Sequence, residues 1–178
     1  MQKLLFVFCL AVFAMACNNE KKEAETKETT EAKPTVAFSM PIAYSSSWEM
    51  GNPAYAAMIV KGSWKDWQDN KMGDMKSWVA DTILAFLSDN VMVKGADSLA
   101  ARWNRGRAAY TNVIDTVHAA ISLVSTDKKE NWVTVWAKEI NTTADGKKDT
   151  TEVMETWRIN KDGKADFLLQ YDRHARKK

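Results

Sequence analysis

Two alternating segments near the end of the chain decide its fold: Trp132–Ile140 (WVTVWAKEI) and Thr151–Ile159 (TEVMETWRI). Successive side chains of a β-strand point to opposite faces, so residues two apart share a face. The pairs Asp145-Gly146 and Asp162-Gly163 follow the two segments, and Asp-Gly pairs favour hairpin turns. The two segments therefore predict neighbouring antiparallel strands.

Further strands are predicted on both sides of this pair. Val113–Val124 precedes it and Ala165–Tyr171 follows it. Upstream, Thr82–Leu87 and Val91–Val93 flank Ser88-Asp89-Asn90, a pattern that predicts a β-hairpin.

Helices are predicted in the first half of the folded region. Asn52 can cap and Pro53 can begin a helix that continues to about Asn70. A second helix is predicted over Met72–Val79, and a third, capped at Asp97-Ser98-Leu99, continues to about Ala109. Early helices followed by long strands without βαβ alternation predict an α+β fold.

Three short motifs carry a resemblance to a known family: Trp78-Val79-Ala80-Asp81, Val93-Lys94-Gly95 and Glu155–Lys164 (ETWRINKDGK). With the element order, they resemble the nuclear-transport-factor-2-like (NTF2-like) superfamily, and within it the SnoaL-like branch, over about Tyr55 to Asp172. The resemblance implies a cone: a curved antiparallel sheet of NTF2-like or cystatin-like type, packed on N-terminal helices around a pocket. Many members dimerise through the sheet, so a homodimer is a partner that the resemblance implies.

The N-terminus predicts export. The apolar run Leu4–Ala16 suits a signal peptide over residues 1–16, and it is shorter than the roughly 20 residues that span a bilayer. Ala14-Met15-Ala16-Cys17 resembles the lipobox of bacterial lipoproteins, which implies that Cys17 is acylated and anchors the protein in a membrane. An ordinary secreted protein cut near Ala16 is the alternative.

A charged segment separates this signal from the folded region. Residues 17–47 begin with Cys17 and continue through mixed Glu and Lys residues, so they predict a disordered tether before a domain at 48–178. Asn18-Asn19 lacks the Asp that retains many lipoproteins at the inner membrane. We therefore expect the outer membrane of a Gram-negative bacterium, with its leaflet left open.

Composition excludes several function classes. The chain has 178 residues, a net charge of +2, 2 Cys and 2 His, so neither a disulfide framework nor a Cys/His metal site is expected. The sequence has no sustained basic stripe, so nucleic-acid binding is not expected. No sequence motif indicates a cofactor, and none is expected.

The alternation suggests which residues line the pocket. We expect Trp136, Glu155 and Trp157 to share one wall, and we add Phe86 and Trp64 as candidate ligand-binding residues. Tryptophans that serve only as core are the alternative. Arg158 and Gln170 are expected to be structural or solvent-facing.

Glu155 is the first candidate for chemistry. By resemblance to ketosteroid isomerases, Glu155 matches a neutral carboxylic acid of an oxyanion hole, and burial among tryptophans would raise its pKa. The general-base position of those enzymes matches Phe86, which cannot take a proton, so their reaction is not expected. An edge carboxylate paired with Lys or Arg is the alternative for Glu155.

Asp81 and His118 are the other catalytic candidates. Asp81 opens the first predicted strand, where it either does chemistry or holds a turn. His118 suits acid–base work through its ordinary pKa, or it is simply a core or surface residue. Asp115 lies three residues before His118 and should occupy the opposite face.

Three functions follow from these patterns. The first is a lipid-anchored envelope protein that binds a small apolar or amphipathic molecule without chemistry. The second is a SnoaL-like isomerase, cyclase or dehydratase that uses Glu155 with His118 or Asp81. The third is a module whose sheet mediates dimer or partner assembly. An all-apolar pocket supports the first, and a closed pocket lined by titratable side chains within hydrogen-bond reach of one point supports the second. A filled interior with an exposed apolar sheet supports the third.

Overall fold

The structure, a computed structural model, describes residues 37–174. The predicted signal peptide, Cys17 and most of the predicted tether lie outside the described residues. Within the described part, no helix is both long enough and apolar enough to cross a membrane.

The elements follow the predicted order, with one additional strand. The helices are α1 (Pro53–Ile59), α2 (Asp66–Gln68), α3 (Met75–Trp78) and α4 (Ala96–Arg107). The strands are β1 (Trp48–Met50), β2 (Val79–Phe86), β3 (Met92–Lys94), β4 (Tyr110–Ser125), β5 (Asn131–Thr143), β6 (Lys148–Ile159) and β7 (Ala165–His174). A π-helical segment, Val60–Lys65, joins α1 to α2, and a 3₁₀ turn, Met72–Asp74, precedes α3.

Within residues 37–174, seven strands form one curved, unclosed sheet in the order β1-β4-β5-β6-β7-β2-β3. The consecutive strands β4 to β7 pair antiparallel, and Asp-Gly pairs form the turns between β5 and β6 and between β6 and β7. Gly146 and Gly163 take the positive φ angles, 80° and 76°, that such turns require. This is the predicted α+β cone of NTF2-like type.

One pairing differs from the antiparallel expectation. Strand β2 lies parallel to β7, with Ala85 opposite Leu168, so the sheet is mixed. The reason is topological: β2 precedes the four-strand meander and adds to its far edge in the same direction as β7. The hairpin of β2 and β3 is confirmed, with Asn90 at a φ of 65° in the turn.

The first helix begins as predicted. The side chain of Asn52 accepts a hydrogen bond from the Ala54 N–H at 3.0 Å, and Pro53 occupies the first helical position. The predicted single helix is interrupted at the π-helical segment. There Gly62 lies so close to Trp78 that a Cβ would stand 2.4 Å from the indole Cε2, so this close approach requires glycine.

Two predicted boundaries shift. Helix α4 begins at Ala96 after Gly95, so Asp97 lies inside its first turn and hydrogen-bonds to Lys76 at 2.9 Å. Upstream of the predicted start at residue 48, Ser45 is buried and the Tyr44 ring lies 5.3 Å from that of Trp132. Packing contacts with the sheet therefore extend several residues upstream of residue 48.

The core lies between the helices and one face of the sheet. We call this face the inner face, and it carries the fully buried side chains of Val133, Val135, Trp157 and Leu168. Ile59 of α1 and Leu99 of α4 cover it from the helical side. The other side of the sheet is the outer face.

Candidate functional site

The pairing of β5 with β6 determines which side chains reach the inner face. Val133 lies opposite Trp157, and Val135 lies opposite Glu155. Trp136 lies opposite Met154, so Trp136 is on the outer face, where 38% of it is exposed. The expectation that Trp136 shares a wall with Glu155 and Trp157 is wrong. The register places Val135, and not Trp136, opposite Glu155, so the two tryptophans lie on opposite faces of the sheet.

A pocket of about 480 Å³ lies between the helices and the inner face. Its helical side carries the indoles of Trp64, Trp67 and Trp103. Its sheet side carries the carboxyl groups of Glu139 and Glu155. The pocket is therefore apolar and aromatic on one wall and acidic on the other.

Glu155 is held by three hydrogen-bond donors. Its Oε2 accepts from the Ser63 hydroxyl at 2.8 Å and from the Trp157 indole N–H at 3.0 Å. Its Oε1 accepts from the side-chain amide of Gln170 at 3.0 Å. Only 2% of Glu155 is exposed, so these donors replace its hydration.

Burial raises the pKa of Glu155, as its position among tryptophans predicts. The bonds from Ser63, Trp157 and Gln170 oppose that rise, because they favour the charged form, and the charge of Glu139 adds to it. The prediction of a raised pKa is confirmed in direction. A carboxyl that accepts three bonds is well fixed in place.

Two more carboxyl groups lie directly opposite each other on the inner face. Asp115 of β4 pairs in register with Glu139 of β5. Burial raises the pKa of Asp115 to about 8, with further contributions from the charges of Glu139 and Glu155, and neither carboxyl oxygen of Asp115 has a hydrogen-bond partner among the described residues. Burial also raises the pKa of Glu139, against hydrogen bonding by Asn141.

A buried arginine stands near these acids without bonding to them. Arg107 is 6% exposed, and its guanidinium donates to the carbonyl oxygens of Trp67 at 2.7 Å, Tyr110 at 2.9 Å and Gln68 at 3.1 Å. Its charge lowers the pKa of Asp115 only as a smaller effect than burial. Arg107 therefore joins α2 to the start of β4 and leaves the carboxyl groups available.

The rim of the pocket carries paired charges. Arg102 forms an ion pair with Asp89, and the ring Nδ1 of His174 lies 3.1 Å from Asp149 Oδ2. Arg105 also lines the rim. Within residues 37–174, no group of three or more His, Cys, Asp or Glu residues is arranged to hold a metal ion.

The structure places only some of the predicted residues together. Trp64 and Glu155 line the pocket, and Trp157 is fully buried beneath them while donating to Glu155. Phe86 lies on the outer face, with its ring 5.7 Å from that of Phe167, so its assignment to the pocket is wrong. Ile83 and Ala85 of β2 are fully buried on the inner face, so alternation along the strand places Phe86 on the outer face.

His118 and Asp81 are also remote from Glu155. His118 is exposed on the outer face and lies 3.5 Å from Glu152 in a shallow groove that Trp136 also lines. Asp115 lies opposite Glu139 on the inner face, so His118 and Asp115 occupy opposite faces of β4, as predicted. Asp81 is exposed in β2 and lies outside the pocket lining. The predicted combinations of Glu155 with His118 or Asp81 are therefore not assembled.

The sequence analysis does not identify several residues that line the pocket. Gln170 was expected to be structural or solvent-facing, yet it binds Glu155 and lines the pocket. Alternation along β5 could have indicated Glu139, because it continues the buried row of Val133 and Val135. Nothing in the sequence indicates Ser63, since its position depends on the π-helical segment.

Comparisons with known proteins agree on the fold. An LEH-like epoxide hydrolase of Mycobacterium tuberculosis superposes with a TM-score of 0.54 at 11% identity, over 67% of this chain and 84% of that one. An NTF2-like protein of unknown function from Exiguobacterium sp. 255-15 gives 0.53 at 15% identity, over 64% and 97%. RV0760c of M. tuberculosis, in complex with estradiol-17beta-hemisuccinate, gives 0.53 at 16% identity, over 66% and 92%.

The comparisons define a fold and leave the activity open. No family model matches the chain, and no curated protein matches it. The chain has the NTF2-like fold, and its structural neighbours include enzymes as well as small-molecule-binding proteins. Because this fold serves many functions, function must be argued from the pocket.

Proposed function

We propose that this chain is a lipid-anchored envelope protein that binds a small amphipathic molecule in its inner pocket without transforming it. The observation that carries the proposal is the division of the pocket. The indoles of Trp64, Trp67 and Trp103 suit an apolar body, and Glu139 and Glu155 suit a polar group. The volume of about 480 Å³ lies in the range typical of small-molecule sites.

A structural neighbour supports a ligand of this kind. RV0760c is described in complex with estradiol-17beta-hemisuccinate, a molecule with an apolar ring system and a charged end. At 16% identity the shared fold supports a pocket of the same type and does not extend to the same ligand.

The two competing functions have less support. The enzyme hypothesis as predicted pairs Glu155 with His118 or Asp81, and both lie elsewhere. The titratable group that shares the pocket wall with Glu155 is Glu139. The interaction-module hypothesis needs a filled interior, whereas the inner face borders an open pocket. We propose binding without chemistry because the predicted catalytic partners are not assembled around Glu155.

Blocking the pocket tests the binding function. Gly106 of α4 lines the pocket, and a Cβ there would stand 3.5 Å from Trp67 Cη2, so Gly106→Phe should occupy the ligand space. Gly73 has no atom within 4 Å of such a Cβ, and Gly73→Phe is the matched control. The full chain is extracted from membranes, and co-purifying small molecules are identified by mass spectrometry.

We expect a small molecule with wild type and with Gly73→Phe, and its loss with Gly106→Phe. Circular dichroism confirms that both variants are folded. A wild-type protein that retains no molecule, or a folded Gly106→Phe variant that retains the same one, contradicts binding in this pocket.

The anchor is tested separately. If Cys17 is acylated, Cys17→Ser should move the protein from the membrane fraction to the soluble envelope fraction, because the lipid chains supply the attachment. Fractionation and immunoblotting measure the change. A wild-type protein that is already soluble contradicts the lipoprotein assignment and leaves the pocket proposal intact.

A further inference from the structure

Two neighbouring residues on the sheet side of the pocket both present hydrogen-bond acceptors. Asn141 is 5% exposed and lines the pocket next to Glu139. Its Nδ2 donates to Glu139 Oε1, which fixes the orientation of the amide. Its Oδ1 is buried and has no hydrogen-bond partner among the described residues. A buried acceptor without a donor is costly, so this site favours a ligand that donates.

The carboxyl groups of this wall also favour a ligand that donates hydrogen bonds. Glu139 and Glu155 line it, and Asp115 lies opposite Glu139 on the neighbouring strand. The nearest buried cation, Arg107, uses its guanidinium on three backbone carbonyl groups. The wall therefore brings together three carboxyl groups that no side-chain cation bonds directly within residues 37–174.

The opposite wall suits a cation as well. Trp64, Trp67 and Trp103 bring three indole rings to the helical side of the pocket. A cation near an indole face gains about 0.5–2 kcal/mol, and more when water is excluded. Acceptors on one wall and aromatic rings on the other form the surroundings that an alkylammonium group prefers.

We propose that the ligand of this pocket carries a protonated amine, which donates hydrogen bonds to Glu139 and to Asn141 Oδ1 and packs against the tryptophan wall. This inference rests on the proposed binding function and specifies the chemistry of the ligand. The buried indole N–H groups of Trp64 and Trp67 have no acceptor within hydrogen-bond distance among the described residues, and a neutral or anionic ligand would use these donors instead. The test therefore compares the three charge types directly.

Three probes of one size provide that comparison: 1-naphthylmethylammonium, 1-naphthylmethanol and 1-naphthoate. The full chain in detergent is titrated with each at pH 7.5, and NMR of the tryptophan indole N–H groups follows binding. We expect the ammonium to bind at least about tenfold more tightly than the alcohol, a difference typical of a charge-assisted hydrogen bond. We expect the naphthoate to bind most weakly.

Two variants locate the effect. Glu139→Gln removes one charge and keeps the shape, and Asn141→Leu removes the free acceptor. Each should weaken ammonium binding about tenfold or more. Glu139→Gln should leave the alcohol within about twofold, and Asn141→Leu should weaken the alcohol less than the ammonium, because a neutral hydroxyl forms the weaker bond to that acceptor. Glu152→Gln is the matched control, since Glu152 lies one position along from the partner of Glu139 and on the outer face.

The outcomes separate the two proposals. Equal binding of ammonium and alcohol, or tightest binding of naphthoate, overturns the amine inference and leaves amphiphile binding in place. Equal losses in Glu139→Gln and Glu152→Gln overturn the assigned contact, because a general charge effect would then suffice. No indole shift with any probe overturns both proposals.

Discussion

Trp157 on the inner face of the sheet and Trp136 and Tyr171 on the outer face differ in how far they are buried. On the inner face, Trp157 is fully buried and its indole N–H is bonded to Glu155. On the outer face, Trp136 and Tyr171 are 38% and 60% exposed. Along β5 and β6, Trp157 therefore belongs to the core and Trp136 lies on the surface. Trp132, also on the outer face, is buried by Tyr44 and Phe167 instead.

Charged groups differ between the faces in the same way. On the outer face, Arg158 bonds Asp166 at 2.8 Å and its guanidinium lies 5.6 Å from the Phe167 ring centre. On the inner face, Asp115 is partly buried without a bonded cation and its pKa is raised to about 8. On the outer face, the charge of Arg158 is paired with Asp166. The inner face holds acidic groups without such partners at a cost in stability, as binding sites commonly do.

The largest expected effect comes from the two tryptophans. Trp157→Ala should lower the free energy of unfolding by about 3–5 kcal/mol, because it opens a cavity and leaves Glu155 without one donor. Trp136→Ala, on the outer face, should cost less than about 1 kcal/mol. Urea unfolding followed by circular dichroism measures both. Similar losses in the two variants would contradict the assignment of faces.

The second-largest expected effect is the difference in stability lost on replacing a buried and a partly exposed arginine. Arg107→Met should cost about 2–3 kcal/mol, because three buried carbonyl groups lose their donor. Arg158→Met removes a partly exposed ion pair and should cost about 1 kcal/mol or less, decreasing with added salt. Unfolding at low and high salt measures both. An Arg107→Met loss that is small and salt-sensitive would show that its contacts are not buried.

Sequence patterns predict most of the fold because local rules act there. Asn52 and Pro53 specify a helix start, and the Asp-Gly pairs specify two of the three turns of the meander. Strand β1 is missed because three residues carry no periodic signal, and its pairing with β4 is a long-range contact. The parallel pairing of β2 with β7 is missed for the same reason, since it depends on where the meander ends.

The site is less predictable, because it depends on register and on an irregular helix. Glu155 is identified correctly as a buried carboxyl with a raised pKa. Trp136 is misplaced because alternation defines two faces and does not say which face of β5 aligns with which face of β6. Ser63 is reached only through the π-helical segment, and such segments have no simple sequence signature.

The smallest effect is a dependence of stability on pH. Folding raises the pKa of Asp115 from 3.8 to about 8. Between these values the folded chain holds a proton at Asp115 that the unfolded chain has released, so the free energy of unfolding falls as pH rises from about 4 to 8. The raised pKa values of Glu139 and Glu155 act in the same direction.

Asp115→Asn keeps the shape of the side chain and removes its titration. The variant should be more stable than wild type at pH 8 by about 1–2 kcal/mol, a figure reduced from the full pKa shift because solvent reaches part of the carboxyl group, and the advantage should shrink towards pH 4. Urea midpoints at pH 4, 5, 6, 7 and 8, at constant ionic strength, measure the slope. Glu152→Gln on the outer face gives the change expected from removing an exposed carboxylate. If Asp115→Asn alters the slope no more than Glu152→Gln does, the two faces do not differ in their acidity, and the contrast between them is limited to packing.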